Sequence, residues 1–470
     1  MGSKGSGFSL ILFVAIALLM ISSCKKKDVN DTDPSLMLSF STDTVLFDTV
    51  FTTVGSVTQR LMVHNYNANQ VLVSSIRLAG GNTSVFSLNI DGTPASSVSD
   101  VEIPANDSIF IFVRVTVNPN NQSNPLVITD SILFNTNGNI QKVNLVAWGQ
   151  DAWFYHDKRL AGNVTWDSIK PHVIYGYLRV DTGASLVILP GTKLYFHQSG
   201  YLAVSHLSSI SIMGNLEHPV RFLGDRLDPY YRDLPGQWDG IYLEKGSHDN
   251  EINYAVIKNG SYGIVVDSAT NPSQPMLKLD NTIIQNMTGN DLYGYATNIV
   301  STNCVLGNCG GAALALDFGG SYDFRHLTIG NYWNSSVRFD SALYLSNYTY
   351  DTDGKKIFNP LTNAYFGNMI LYGQQDDELS LRWDPSTEFN FMFDHCLLKT
   401  HKNIENPAHY NTCIVNSDPK FLDIAAYDYR IDSTSAARGK GAFVGVDLDI
   451  NGISRGSSPD IGAYQYVPVP

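Results

Sequence analysis

In the middle of this chain, apolar and polar positions recur as one short phrase. It reads YAVIKN from Tyr254, NTIIQN from Asn281, NCVLGN from Asn303, HLTIGN from His326, NMILYG from Asn368 and HCLLKT from His395. The starts lie 27, 22, 23, 42 and 27 residues apart, and four phrases end in asparagine, at Asn259, Asn286, Asn308 and Asn331. A period of roughly 20–30 residues around a short β-rich core marks a solenoid. One unit cannot bury its own apolar residues, whereas stacked units can. The pattern predicts a right-handed parallel β-helix. Adjacent apolar pairs such as Ile283-Ile284 and Val305-Leu306 are expected to flank a bend or fill the coil interior. The terminal asparagines are expected to bond from coil to coil as a ladder.

Between residues 36 and 150 the pattern changes to short alternating strands, with DSIFIFVRVTV and ITDSILFNTNG as clear cases. Asn137-Gly138 is a strong hairpin signal. Strands at this spacing predict an antiparallel sandwich. The order Val63-His64-Asn65, Ile103-Pro104, Thr136-Asn137-Gly138 resembles Hydin-like immunoglobulin modules, which implies an immunoglobulin-like β-sandwich. Residues 151–417 carry the helix. The run Leu186 to Phe196 (LVILPGTKLYF) resembles the opening of pectate-lyase-like β-helix proteins, with Pro190-Gly191 turning the chain between strands. Asp418-Pro419, Asp428-Tyr429-Arg430-Ile431 and Asp460-Ile461-Gly462-Ala463-Tyr464 resemble the choice-of-anchor Q region of exported Bacteroidota-type proteins. That resemblance implies that residues 418–470 cap the last coil and protect its open end.

Residues 1–24 read as an address rather than structure. Lys4 is followed by the apolar run Phe8 to Ile21 and by Ile21-Ser22-Ser23-Cys24, an ending that resembles the lipobox of bacterial lipoproteins. The resemblance implies cleavage and lipidation at Cys24, hence an exported protein anchored in the cell envelope, at the outer membrane. The apolar run is shorter than the about 20 residues of a transmembrane span. Residues 25–35, KKKDVNDTDPS, form a polar tether.

The net charge of −13 argues against a nucleic-acid partner, which would require a basic stripe. Beyond Cys24, the cysteines Cys304, Cys309, Cys396 and Cys413 are small hydrophobes of the coil or disulfide partners, with connectivity open. The chain has no nucleophile elbow, zinc-protease helix or phosphate loop.

The candidate chemistry comes from the strand after each phrase. GIVVD ends at Asp267, GYATN at Asn298, ALALD at Asp317, ALYLS at Ser346 and ELSLR at Arg382. If these strands stack at about 4.8 Å per coil, Asp267 and Asp317 lie roughly 10 Å apart. An inverting glycosidase pair spans about 6.5–9.5 Å. Asp267, Asp317 and Arg382 are therefore the candidate catalytic residues, with Arg382 near a uronate carboxylate. Asn298 joins them as a binding residue, and Asp and Asn oxygens in one column would suit Ca²⁺. Tyr230, Tyr231, Trp238, Trp333 and Trp383 lie in or beside the segments that interrupt the period, where sugar rings could stack on them. Two readings stand: a protein that binds and processes polysaccharide as a lyase or glycoside hydrolase, and a non-catalytic surface scaffold or adhesin-like binder. Fold does not separate them, because function lives in the site.

Overall fold

The computed structural model describes residues 30–52, 55–118, 126–271 and 273–468. The leader and Cys24 lie outside the described residues. Two compact units divide at Gln150/Asp151.

The first unit has two five-stranded sheets whose inner faces share one core, including Phe47, Leu61, Ile76, Ile111, Phe134 and Leu145. Neighbouring strands are antiparallel except Thr44–Phe51, which runs parallel to Asn139–Gln150. The hairpin at Asn137-Gly138 has both residues at positive φ, 50° and 87°, the backbone that a two-residue turn between twisted strands requires.

The second unit is a parallel β-helix in which each coil contributes to three stacks of strands. The first stack contains Tyr201–Val204, Gly240–Leu243, Ile264–Val266, the first parts of Leu292–Thr302 and Leu314–Arg325, Leu343–Ser346 and Leu379–Arg382. The second contains Ser209–Met213, Asn250–Asn253, Leu277–Asp280, the remaining parts of the two long strands, Leu361–Gly367, Met392–Asp394 and Tyr410–Asn411. The repeated phrase supplies the third: Ala255–Lys258, Ile283–Gln285, Val305–Gly307, Thr328–Asn331, Ile370–Gly373 and Leu397–Leu398, followed by Ile414–Val415.

The phrase's polar letters are corner residues. Its opening residue is left-handed in every copy, with φ of 47° at Tyr254, 49° at Asn281, 54° at Asn303, 57° at His326, 54° at Asn368 and 51° at His395. Asn and His tolerate this region better than most residues, so the corner between the second and third stacks selects them. The closing asparagines form the expected ladder over three coils: Asn308 Nδ2 donates to Asn286 Oδ1 at 3.0 Å, and Asn286 Nδ2 to Asn259 Oδ1 at 2.6 Å. Asn331 departs from it, its Oδ1 accepting the Cys309 amide at 3.0 Å.

Four apolar pairs, Ile283-Ile284, Val305-Leu306, Ile370-Leu371 and Leu397-Leu398, are split between two cores. Ile284, Leu306, Ile329, Leu371 and Leu398 point into the coil interior. Their neighbours Val305, Ile370 and Leu397 point outward yet are buried, because the tail lies against them. Tyr429, Ile450 and Ala463 cover Val305, while Ile431, Ala437 and Ile461 cover Ile370 and Leu397. At about 1.5–3 kcal/mol per fully buried aliphatic side chain, this docking is a substantial share of the tail's stability. The tail thus runs along the side of the third stack, a correction to the expected end cap. Its apolar residues go where outward-facing apolar positions await them.

Candidate functional site

With the third stack covered by the tail, the outward face of the first stack brings tyrosines and carboxylates together. Successive side chains on a strand alternate between interior and exterior, so one outward column runs through register partners Ala203, Tyr242, Val265, Tyr293, Ala315, Tyr344 and Ser380. A parallel column two residues earlier pairs Tyr177 with Tyr201. Tyr262 is also exposed nearby, its backbone amide donating to the Asp239 carbonyl. Two residues beyond the tyrosine column, Tyr295 pairs with Asp317 and Ser346 with Arg382. Continuing one residue past the paired Val266 and Gly294 sets Asp267 beside Tyr295.

Asp317 is the centre of this face. Tyr293 Oη donates to its Oδ2 and Tyr344 Oη to its Oδ1, both at 3.3 Å, from the coils on either side. The Arg382 guanidinium lies 5.4 Å from the Tyr344 ring centroid. Burial, with Asp317 adding to it, holds the Tyr293 hydroxyl above the ordinary phenol range. Tyr344 and Tyr295 are also raised, chiefly by burial, and the Tyr295 shift is reinforced by Asp317 and Asp267. Burial followed by Asp239 does the same at Tyr242. These tyrosines therefore remain protonated donors at neutral pH. At the other end of the face, Arg179 Nη1 bonds Glu244 at 2.7 Å and Ser205 Oγ at 3.0 Å.

Asp267 and Asp317 share a column two coils apart, roughly 10 Å at the ordinary strand spacing. Tyr295 stands between them, its ring 5.3 Å from that of Phe318. Arg382 occupies the same column on the far side of Ser346. Asn298 does not: it pairs with Ser321 in the second stack, is 8% exposed, and donates at 3.3 Å to the carbonyls of Asn271 and Gln274. It holds a loop rather than facing a ligand. Asn298 is therefore not among the column oxygens expected to suit Ca²⁺. Among the described residues, no group of three or more His, Cys, Asp or Glu side chains is placed to hold a metal ion.

The aromatic candidates separate by exposure. Trp238 and Trp333 are buried, the first with its ring 4.6 Å from Phe196 and its Nε1 on the Lys258 carbonyl, the second bonded to Ser336 Oγ. Neither offers a face to a sugar. Tyr230 is exposed and packs edge-on to Tyr231, which itself lies under Arg226. Trp383 is 59% exposed and walls a cleft of about 450 Å³ with Pro385, Phe389, Phe391, Asn403 and Asn406, at the last coil. The residues that sequence reasoning missed are Tyr201, Tyr242, Tyr293 and Tyr344. Their signal was present: in YLAV, GIYL, LYGY and ALYL a tyrosine alternates with inward-pointing positions of the strand.

No protein-family model matches this chain, and no curated protein matches it. Among solved structures, it is similar to the catalytic unit of a thermostable GH87 alpha-1,3-glucanase from Streptomyces thermodiastaticus. The identity is 10% and the TM-score 0.26, over 72% of this chain and 74% of that one. A GH87 alpha-1,3-glucanase catalytic domain in complex with tetrasaccharides shows 11% identity and a TM-score of 0.17, over 76% and 82% of the two chains. A family 123 glycoside hydrolase from Clostridium perfringens, studied for glycolipid glycan hydrolysis, shows 9% identity and a TM-score of 0.18. That match covers 25% of this chain and spans 30% of the hydrolase.

Proposed function

We propose that the outward face of the first stack binds polysaccharide, in a protein exported and lipid-anchored through Cys24 at the outer membrane of the cell envelope. The observation that carries the reading is the row of half-buried tyrosines on alternate coils, Tyr242, Tyr293 and Tyr344, with Asp317 held between the hydroxyls of the last two. Tyrosine rings present an apolar face to the C–H side of a sugar ring, while carboxylates and phenols exchange hydrogen bonds with its hydroxyls. A regular ladder of such groups suits a repeating ligand better than a small one.

The same geometry favours holding a chain over cutting it. An inverting hydrolase needs a protonated carboxyl facing a carboxylate with room for water between them. Here Asp317 accepts a hydrogen bond on each oxygen, and Tyr295 occupies the column between it and Asp267. The test is incubation of the protein with a panel of neutral and acidic polysaccharides, following affinity, reducing ends and unsaturated products together. Retained binding without products is expected. Products lost in Asp317→Ala or Asp267→Ala would instead establish the lyase or hydrolase reading, and no binding across the panel would overturn the proposal. For the anchor, palmitate labelling is expected in the full chain and lost in Cys24→Ala; unchanged labelling would remove it.

A further inference from the structure

We propose that Cys396 and Cys413 are the site of a disulfide that staples the last coil of the β-helix to the one before it. The phrase HCLLKT places Cys396 immediately before Leu397, and Cys413 immediately precedes Ile414. Leu397 and Ile414 are direct register partners, as are Leu398 and Val415, and the Ile414 amide donates to the Cys396 carbonyl at 2.8 Å. The two cysteines therefore stand opposite each other on adjacent parallel strands. Strands at about 4.8 Å give a Cα separation inside the window of roughly 4.4–6.8 Å that a disulfide spans.

Their side chains also point the same way. Cys396 Sγ lies 3.1 Å from the Phe366 carbonyl and Cys413 Sγ lies 3.3 Å from the Phe393 carbonyl. Phe366 and Phe393 are themselves register partners one coil apart. Among the described residues, the two remaining cysteines have other surroundings: Cys304 Sγ donates to the Leu279 carbonyl, and Cys309 bonds the Gly311 carbonyl and receives Asn331 Nδ2.

The pair has an order of reaction built in. Cys396 is fully buried, whereas Cys413 is partly exposed. A hydrogen bond from Cys396 draws the Cys413 thiol below its ordinary range, while burial holds Cys396 above. The Cys413 thiolate attacks one sulfur of an external disulfide, such as glutathione disulfide, and one carrier thiolate leaves. Cys396 then gives up its proton and attacks Cys413 Sγ, breaking the mixed disulfide and releasing the second carrier thiol. Two protons and two electrons pass to the carrier. The loop closed, residues 396–413, contains the short strands Leu397–Leu398 and Tyr410–Asn411 and ends directly before Ile414–Val415, at the end of the solenoid, where it is most prone to fray.

The test uses the full chain, refolded in a glutathione redox buffer, then alkylated under denaturing conditions and digested with trypsin. The expected product is a linked pair of the peptides 383–399 and 403–420, collapsing to two free peptides on reduction. In Cys396→Ser, Cys413 is expected to retain a glutathione adduct, whereas in Cys413→Ser, Cys396 is expected to remain free. Recovery of both peptides alkylated and unlinked, or linkage of Cys413 to Cys304 or Cys309, would overturn the proposal.

Discussion

His326 shows how a single corner residue ties the repeat to the tail. It opens its phrase at φ 57°, with Nδ1 3.1 Å from the Gly462 carbonyl and Nε2 3.0 Å from Asn368 Nδ2. The Asn368 orientation is fixed because its Oδ1 accepts the Ala442 amide and its Nδ2 donates to the Ala442 carbonyl. Nδ1 therefore carries the proton and Nε2 accepts. A second proton would set two donors against each other. Burial, with Arg455 adding repulsion, lowers the His326 pKa from 6.5 to about 3. Between those values the unfolded chain binds the extra proton and the folded chain does not. Stability contributed by neutral His326 is full above about pH 6.5 and is lost as pH falls toward 3, at about 1.4 kcal/mol per pH unit. In His326→Asn, which suits the left-handed corner, urea unfolding between pH 4 and 7 is expected to show a shallower acid loss than the parent. An identical slope would contradict this assignment.

Among the elements, the long interval in the repeat has a physical anchor. The Trp333–Asn363 excursion is clasped by Arg338, whose Nη2 and Nη1 bond Glu378 at 2.6 and 2.8 Å with both side chains buried. Glu378 also accepts the amides of Ala342 and Gln375 at 2.9 and 2.8 Å. Removing the cation leaves a buried carboxylate, a change that costs about 3–5 kcal/mol. Arg338→Met should therefore lower the unfolding free energy by about that amount in chemical denaturation. A loss below about 1 kcal/mol would show that the pair is dispensable. Asp376-Asp377-Glu378 reads in sequence as a three-residue acidic run on a solvated turn, because the Arg338 partner lies forty residues away.

The stacks and their corners were legible, since Asn and His at left-handed positions and split apolar pairs leave a pattern. The column of candidate residues was legible at Asp267, Asp317 and Arg382 but not at Asn298. The strand Leu292–Thr302 turns at Ala296, with φ 48°, and carries on into the second stack. No glycine or asparagine marks that bend, so counting strand ends put Asn298 one stack too early. The tail's course was equally hidden, because outward burial of Val305, Ile370 and Leu397 becomes evident only with the partner in place.

For the β-helix as a whole, three stacks imply three outward faces with different uses. The third is sheathed by the tail, while the first presents tyrosines on alternate coils with Asp267 and Asp317 beside them. If the first face binds the ligand, removing its hydroxyls should weaken binding. Tyr293→Phe/Tyr344→Phe removes both donors to Asp317 while leaving the rings, and polysaccharide affinity is expected to fall about tenfold with thermal stability nearly unchanged. A double variant that binds like the parent would move the site elsewhere. The most direct measurement is hydroxyl-radical footprinting of the full chain with and without saturating polysaccharide. Protection is predicted at Tyr201, Tyr242, Tyr293 and Tyr344, with Tyr230 and Trp383 unchanged. Protection confined to Trp383 and its cleft, with the tyrosines of the first stack unprotected, would contradict the account.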